Sequence, residues 1–263
     1  MKINLKEEFV NLSAAIKSIN RKIIVIFISV AILQTVSWYF TSRQFFRTNL
    51  YYSLFGENPN ADLYEYIYWF TGDFLTFFVC GCMIIKLMLK ENISDYGLNF
   101  RNREFGLKLT LLLVIIMLPV IWFVSASASF SGAYPMLQQA KNSWYIFLFF
   151  QLFLFLFIFA WEFFWRGFML FGLKKEFGYY AILMQMIPFV ILHNGKPVFE
   201  TFGAILGALA LGIIAYRTGS FLYGVIIHYL VMFMMEFISV LRFKTGSYGI
   251  GTDSFFQIIS KMF

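Results

Sequence analysis

Long apolar runs separated by short polar stretches dominate the chain. They lie near 23–40, 66–85, 109–125, 144–172, 179–195, 202–216 and 220–241, each bounded by polar or basic residues. A nearly uncharged run of about 18 or more residues is long enough to cross a bilayer as a helix. The pattern predicts an all-α, polytopic transmembrane helical bundle of about seven spans. The run at 144–172 exceeds that length, so it is expected to tilt or to continue as helix into the aqueous phase. The connections at 41–63, 86–108 and 126–142 are too short for a second, soluble domain.

Residues 1–22 hold Lys2, Lys6, Glu7, Glu8, Lys17, Arg21 and Lys22. They read as a cytoplasmic amphipathic lead-in to an uncleaved signal anchor, not as a removable signal peptide. The expected division is this lead-in, N-terminal transmembrane helices over 23–142, a core over 143–241 and a tail over 242–263.

Composition sharpens the class. Of the residues, 60% are hydrophobic and 13% charged, which excludes an ordinary soluble domain. The net charge of +7 is spread through connections and flanks, so membrane orientation is the reading and nucleic acid is not an expected partner. Lys86, Lys90, Arg101, Arg103, Lys108, Lys174, Lys175 and Arg217 fall on one side of the predicted spans. The opposite side is poorer, with Arg43, Arg47, Lys141 and Lys196. This bias predicts a plasma-membrane protein in contact with lipid, with a cytoplasmic N-terminus and with Arg242 and Lys244 of the tail outside. Cys80 and Cys82, inside an apolar stretch, read as packing residues.

Ionisable groups inside spans are costly and mark function by default. Glu162 and Arg166 are four residues apart, one helical turn, and predict an intrahelical ion pair. The only two histidines, His193 and His228, both fall in apolar segments. Glu200 follows the first by seven residues and Glu236 the second by eight, about two turns in each case. For 228 and 236 a shared helix face is expected; for 193 and 200 Gly195 and Pro197 mark a break. Asp73 has no identifiable partner and reads as a helix-packing polar group. The small residues from Gly203 to Gly212 predict a close-packing face. Counted along ideal helices, His193 lies deeper than Glu162 and His228, so one compact site requires tilt, a kink at Pro188 or a re-entrant segment.

The order of these residues from about Tyr145 to Glu236 resembles the CPBP family of intramembrane proteases. That family includes the type II CAAX prenyl endopeptidases and bacterial relatives linked to bacteriocin processing or self-immunity. Its signatures are Glu-Glu-x-x-x-Arg, Phe-x-x-x-His and His-x-x-x-Asn on successive helices. Glu162 with Arg166, Phe189 with His193, and His228 match them. The resemblance assigns water activation to the first glutamate and oxyanion assistance to the asparagine. Those positions hold Trp161 and Met232 in this chain.

Hydrolysing a peptide inside a membrane needs water, a base and donors where the oxyanion develops. In one version Glu162 or Glu200 is the base, His193 orients water, His228 stabilises the oxyanion and Arg166 keeps Glu162 ionised. In another, His193 and His228 with Glu162 or Glu200 hold a divalent metal such as zinc. The expectation is an intramembrane endopeptidase with a CPBP-like core at 143–241, cleaving membrane-associated or prenylated-like peptides. The alternative is an inactive relative serving as a membrane immunity or binding protein, or a transporter.

Overall fold

The computed structural model describes residues 4–56 and 58–260, and every regular element among them is helical. An amphipathic helix α1 (Leu5–Ser18) precedes α2 (Arg21–Phe55), α3 (Ala61–Leu89), α4 (Arg103–Val124) and α5 (Trp144–Phe177). A short apolar helix α6 (Tyr180–Ile191) follows, then α7 (Val198–Thr218), α8 (Leu222–Thr245) and α9 (Thr252–Ser260). Six of these (α2, α3, α4, α5, α7 and α8) are long and apolar enough to cross a membrane, and α6 is shorter. The chain is an integral membrane protein.

The segment expected to connect the first two spans is mostly helical. α2 is interrupted at Ser42, whose backbone is extended, and resumes to Phe55. Ser42 caps the resumed helix by accepting from the Phe45 N–H at 3.2 Å. Residues 43–55 include Arg43, Gln44, Arg47, Thr48, Asn49 and Ser53, which lowers the hydropathy without preventing helix formation. The long run at 144–172 continues as helix to Phe177, as its length suggested.

Aromatic rings knit the interior. Phe77 of α3 stacks on Phe164 of α5 at 4.3 Å between centroids, and Phe78 meets Phe163 edge-on at 4.9 Å. One turn or more away, Phe70 packs on Phe150 and Phe157. Each such pair adds about 0.5–1.5 kcal/mol beyond area burial. α5 is the most enclosed of the long helices and α4 the least. Outward residues such as Leu111, Leu112, Ile115, Leu148 and Leu152 form an exposed apolar surface suited to lipid. Cys80 and Cys82 are free thiols packed at the edge of the core.

α6 and α7 lie antiparallel. Gln185 donates from Nε2 to the Ala208 carbonyl at 3.1 Å, and Ala204, Ala208 and Gly212 are the small residues that face α6 or the core. A methyl group at Gly212 would stand 2.8 Å from Ile182. Gly203 and Gly207 have open space beside them, so only part of the predicted small-residue face is used for packing.

Arg242 lies in the last turn of α8. It is buried, donating from Nε to Ser125 Oγ at 2.8 Å, from Nη1 to the Ser247 and Gly249 carbonyls, and from Nη2 to the Trp122 carbonyl at 3.1 Å. These bonds fold the chain after α8 back across the end of α4.

Candidate active site

α5 sets the first part of the site. Glu162 and Arg166 sit one turn apart where the helix widens into π-type turns over Phe163–Met169, a local geometry that often accompanies functional sites. Both side chains are fully buried, and Arg166 Nη1 donates to Glu162 Oε1 at 2.9 Å. The Arg166 guanidinium also stacks 4.1 Å over the Phe189 ring. Gly224 of α8 lets Glu162 approach: a methyl group there would be 2.9 Å from Glu162 Oε2.

His228 reaches the same carboxylate from α8, with Nδ1 at 2.7 Å from Glu162 Oε1. The ring nitrogen beside an ionised carboxylate carries the proton, which leaves Nε2 turned away from the pair. His193 is held differently. Its Nδ1 lies 2.8 Å from the Phe189 carbonyl, which can only accept, so Nδ1 is the donor and Nε2 of the neutral ring keeps the lone pair. Phe189 lies between the two histidines, 4.5 Å from the His193 ring and 6.4 Å from that of His228.

The shortness of α6 brings these groups to one place. It ends at Ile191, and the turn over 192–197, where the chain reverses into α7, carries His193. Thr201 Oγ1 then donates to the His193 carbonyl at 3.0 Å, tying the turn to α7.

A cavity of about 530 Å³ collects His193, His228, Glu200, Asp73, Trp161 and Met232 on its walls. Glu162 and Arg166 do not line it; they lie behind His228. Glu200 stands on the opposite side of the break at Gly195 and Pro197, at the start of α7. Its Oε1 accepts from Tyr134 Oη at 2.9 Å and faces Lys196 Nζ at 3.4 Å, while Oε2 has no protein partner. A buried carboxylate oxygen without a protein partner, on a residue that lines a cavity, is a place where an ordered water would be needed to satisfy it.

Glu236 does not join His228, despite the two-turn spacing. It is fully buried and accepts the Met136 backbone N–H at 3.0 and 3.2 Å. Tyr66 Oη donates to the Met136 carbonyl at 2.7 Å, so the segment 134–137 is strapped between α3 and α8 and presents Tyr134 to Glu200. Burial, then the Glu200 carboxylate, push the Tyr134 phenol well above its ordinary pKa, so it stays a donor at neutral pH. Tyr134→Phe removes one hydrogen bond to a charged group and is expected to lower stability by about 1.5–3 kcal/mol. Melting curves of the parent and the variant check this.

Asp73 is a polar group between packed helices, and its partners, not identified from the sequence, are on α2 and α3. It accepts from Ser37 Oγ at 2.7 Å, Thr41 Oγ1 at 2.6 Å and Trp69 Nε1 at 2.8 Å. The Trp69 contact spans four residues of one helix and was visible as spacing. The bonds from α2 had no such signal.

Among the described residues no group of three His, Cys, Asp or Glu side chains is arranged to hold a metal ion. The set considered from the sequence, His193 and His228 with Glu162 or Glu200, is not gathered into such a group in this arrangement. One oxygen of Glu162 is already shared by Arg166 and His228.

The family model described as type II CAAX prenyl endopeptidase Rce1-like matches residues 142–234. No curated protein and no solved structure matches the chain. The matched segment contains α5 to most of α8, hence His193, Glu200 and His228 on the cavity wall and the Glu162–Arg166 pair behind His228. Over this segment, about a third of its length, the chain is similar to the type II CAAX prenyl endopeptidases of the Rce1-like family, in keeping with the CPBP resemblance of its motifs.

Proposed function

We propose that the protein is an intramembrane endopeptidase whose working groups are His193, His228 and Glu200, with Glu162 and Arg166 positioning His228. The observation that carries this reading is the pair of imidazoles on one cavity, each with Nδ1 tied to a protein acceptor and Nε2 left for chemistry. A fixed ring orientation is what general acid–base work requires.

The roles follow from what each group can reach. Glu162 is behind the wall and already engaged twice, so it acts by stabilising the proton on His228. Glu200 Oε2, on the cavity and without a protein partner, is the carboxylate available to take a proton from water. It replaces the glutamate absent at Trp161. His193 Nε2 accepts a hydrogen bond from the same water and orients it. His228, when both ring nitrogens carry a proton, donates from Nε2 to the developing oxyanion, a task left to it alone with Met232 at the asparagine position. The water oxygen bonds to the carbonyl carbon, the C–N bond breaks, and the proton held by Glu200 passes to the leaving amine.

Substrates are membrane-associated or prenylated-like peptides with apolar side chains, in keeping with Trp38, Phe157, Trp161 and Met232 on the cavity wall. Glu200→Gln keeps the shape and one acceptor but cannot take a proton. It is expected to slow cleavage of a membrane peptide by about 10²–10⁴-fold with KM little changed. A variant as fast as the parent would remove Glu200 as the base.

A further inference from the structure

We infer that α1 is a lipid-binding helix that lies in the membrane–water interface where α2 begins, with one apolar stripe sunk among the acyl chains. Leu5, Phe9, Leu12 and Ile16 recur at steps of four, three and four residues, which places them on one face of the helix. Glu7, Asn11 and Ser18 lie on the opposite face, and Lys6 and Lys17 flank the stripe. The helix is regular and capped: the Asn4 side chain accepts the Glu7 N–H at 3.5 Å, with Glu7 and Glu8 in the first turn and Lys17 in the last to suit the helix dipole.

No residue of α1 is buried, and the stripe is its uncovered face: Leu5 is 80% exposed, Phe9 73%, Leu12 58% and Ile16 50%. A short helix in water owes its stability to the packing of such a face, so an occupant is required. The junction with α2 says which. Ile19 and Asn20 have extended backbone, with ψ of 138° and 122°, so α1 is a separate helix and not a prolongation of the span. Asn20 caps α2 and donates to Glu176 near the end of α5 at 2.7 Å, while Lys22 pairs with Glu91 just beyond α3 at 2.7 Å. Three spans therefore end together at Asn20, at the edge of the bilayer, and Ile16 is four residues from it.

Exposed apolar surface continues past that junction along α2, through Phe27, Ile28 and Ile32, which face lipid as part of a span. With 14 residues, α1 is about 21 Å long, too short for a hydrocarbon core of about 30 Å, so the lipid within its reach is the interface. Lys6 and Lys17 can lay their stems on the acyl chains and extend their ammonium groups to lipid phosphates. They also balance Glu7 and Glu8, so the helix carries no net charge. Burial of the stripe holds it in place, and a neutral bilayer suffices.

The test is fluorescence quenching of the full-length chain in phosphatidylcholine nanodiscs, carrying Cys80→Ala, Cys82→Ala and one fluorophore-labelled cysteine at a time. Phe9→Cys and Ile16→Cys report on the stripe; Glu7→Cys and Asn11→Cys report on the opposite face. Quenching by a lipid with a spin label on its acyl chain is compared with quenching by aqueous iodide. The expected result is several-fold stronger lipid quenching and several-fold weaker iodide quenching at the stripe pair, unchanged when phosphatidylglycerol is added. Equal iodide quenching at all four positions, as for a helix free in water, overturns the inference. So does shielding of the stripe pair from both quenchers, as when protein of this or another copy covers it, or a lipid signal that appears only with phosphatidylglycerol. If the chain without Cys80 and Cys82 does not fold, the same four substitutions are read over the background of the labelled, unsubstituted chain. The measurement needs no turnover, so it stands whether or not the protein cleaves peptides.

Discussion

Replacing His228 by alanine is expected to lower peptide cleavage by about 10²–10⁴-fold while leaving the bundle folded. The ring contributes the donor at Nε2 and, through Nδ1, the bond at 2.7 Å to Glu162. Removing it leaves Glu162 Oε1 still bonded to Arg166 at 2.9 Å, so the buried charge keeps a partner. His228 also faces the cavity, where the vacated space can fill with water. Catalysis should therefore fall much further than stability. Steady-state rates, with melting temperature and size-exclusion profile as controls, check the separation. A variant that loses both together would mean that the histidine is chiefly a structural group.

Arg166→Met is expected to do the opposite, lowering stability by about 3–5 kcal/mol and with it the amount of folded protein recovered. The guanidinium is fully buried, and its loss would strand the Glu162 carboxylate with only His228 beside it. The stacking on Phe189 would go as well, loosening the ring that separates the two histidines. Glu162→Gln combined with Arg166→Met should recover much of the deficit, since no uncompensated charge remains. Thermal unfolding in detergent of the two single variants and the double variant measures the coupling. Additive losses would argue against a stabilising pair.

The spans were legible because a nearly uncharged apolar run of membrane length is stable as a helix in lipid and not in water. Their ends were less so. The stretch 43–55 is polar enough to read as a connection, yet it is helical beyond a break at Ser42. At the other extreme, the apolar run 179–195 reads as a full span, while only Tyr180–Ile191 is helix and Gly195 has a positive φ of 94° in the turn that follows. That shortening is what lets His193 reach the neighbourhood of His228, and periodicity carries no sign of it.

The site divides the same way. Glu162 with Arg166, and Trp69 with Asp73, are pairs at helical spacing and can be read along one helix. Tyr134 with Glu200 and Met136 with Glu236 join residues 66 and 100 positions apart, so only the packing of the helices brings them together. The eight-residue spacing of His228 and Glu236 was misleading for a physical reason: two turns align side chains only roughly, and the orphan N–H of Met136 offered Glu236 a buried partner.

The central claim is that this cavity hydrolyses a peptide bond. Its most direct test is mass spectrometry of a membrane-inserted peptide incubated in ¹⁸O-water with the purified, reconstituted protein or with the His193→Ala variant. The account predicts two fragments from the parent, with ¹⁸O in the new carboxyl terminus, and almost none from the variant. Intact peptide with the parent, or equal cleavage by both, would contradict it.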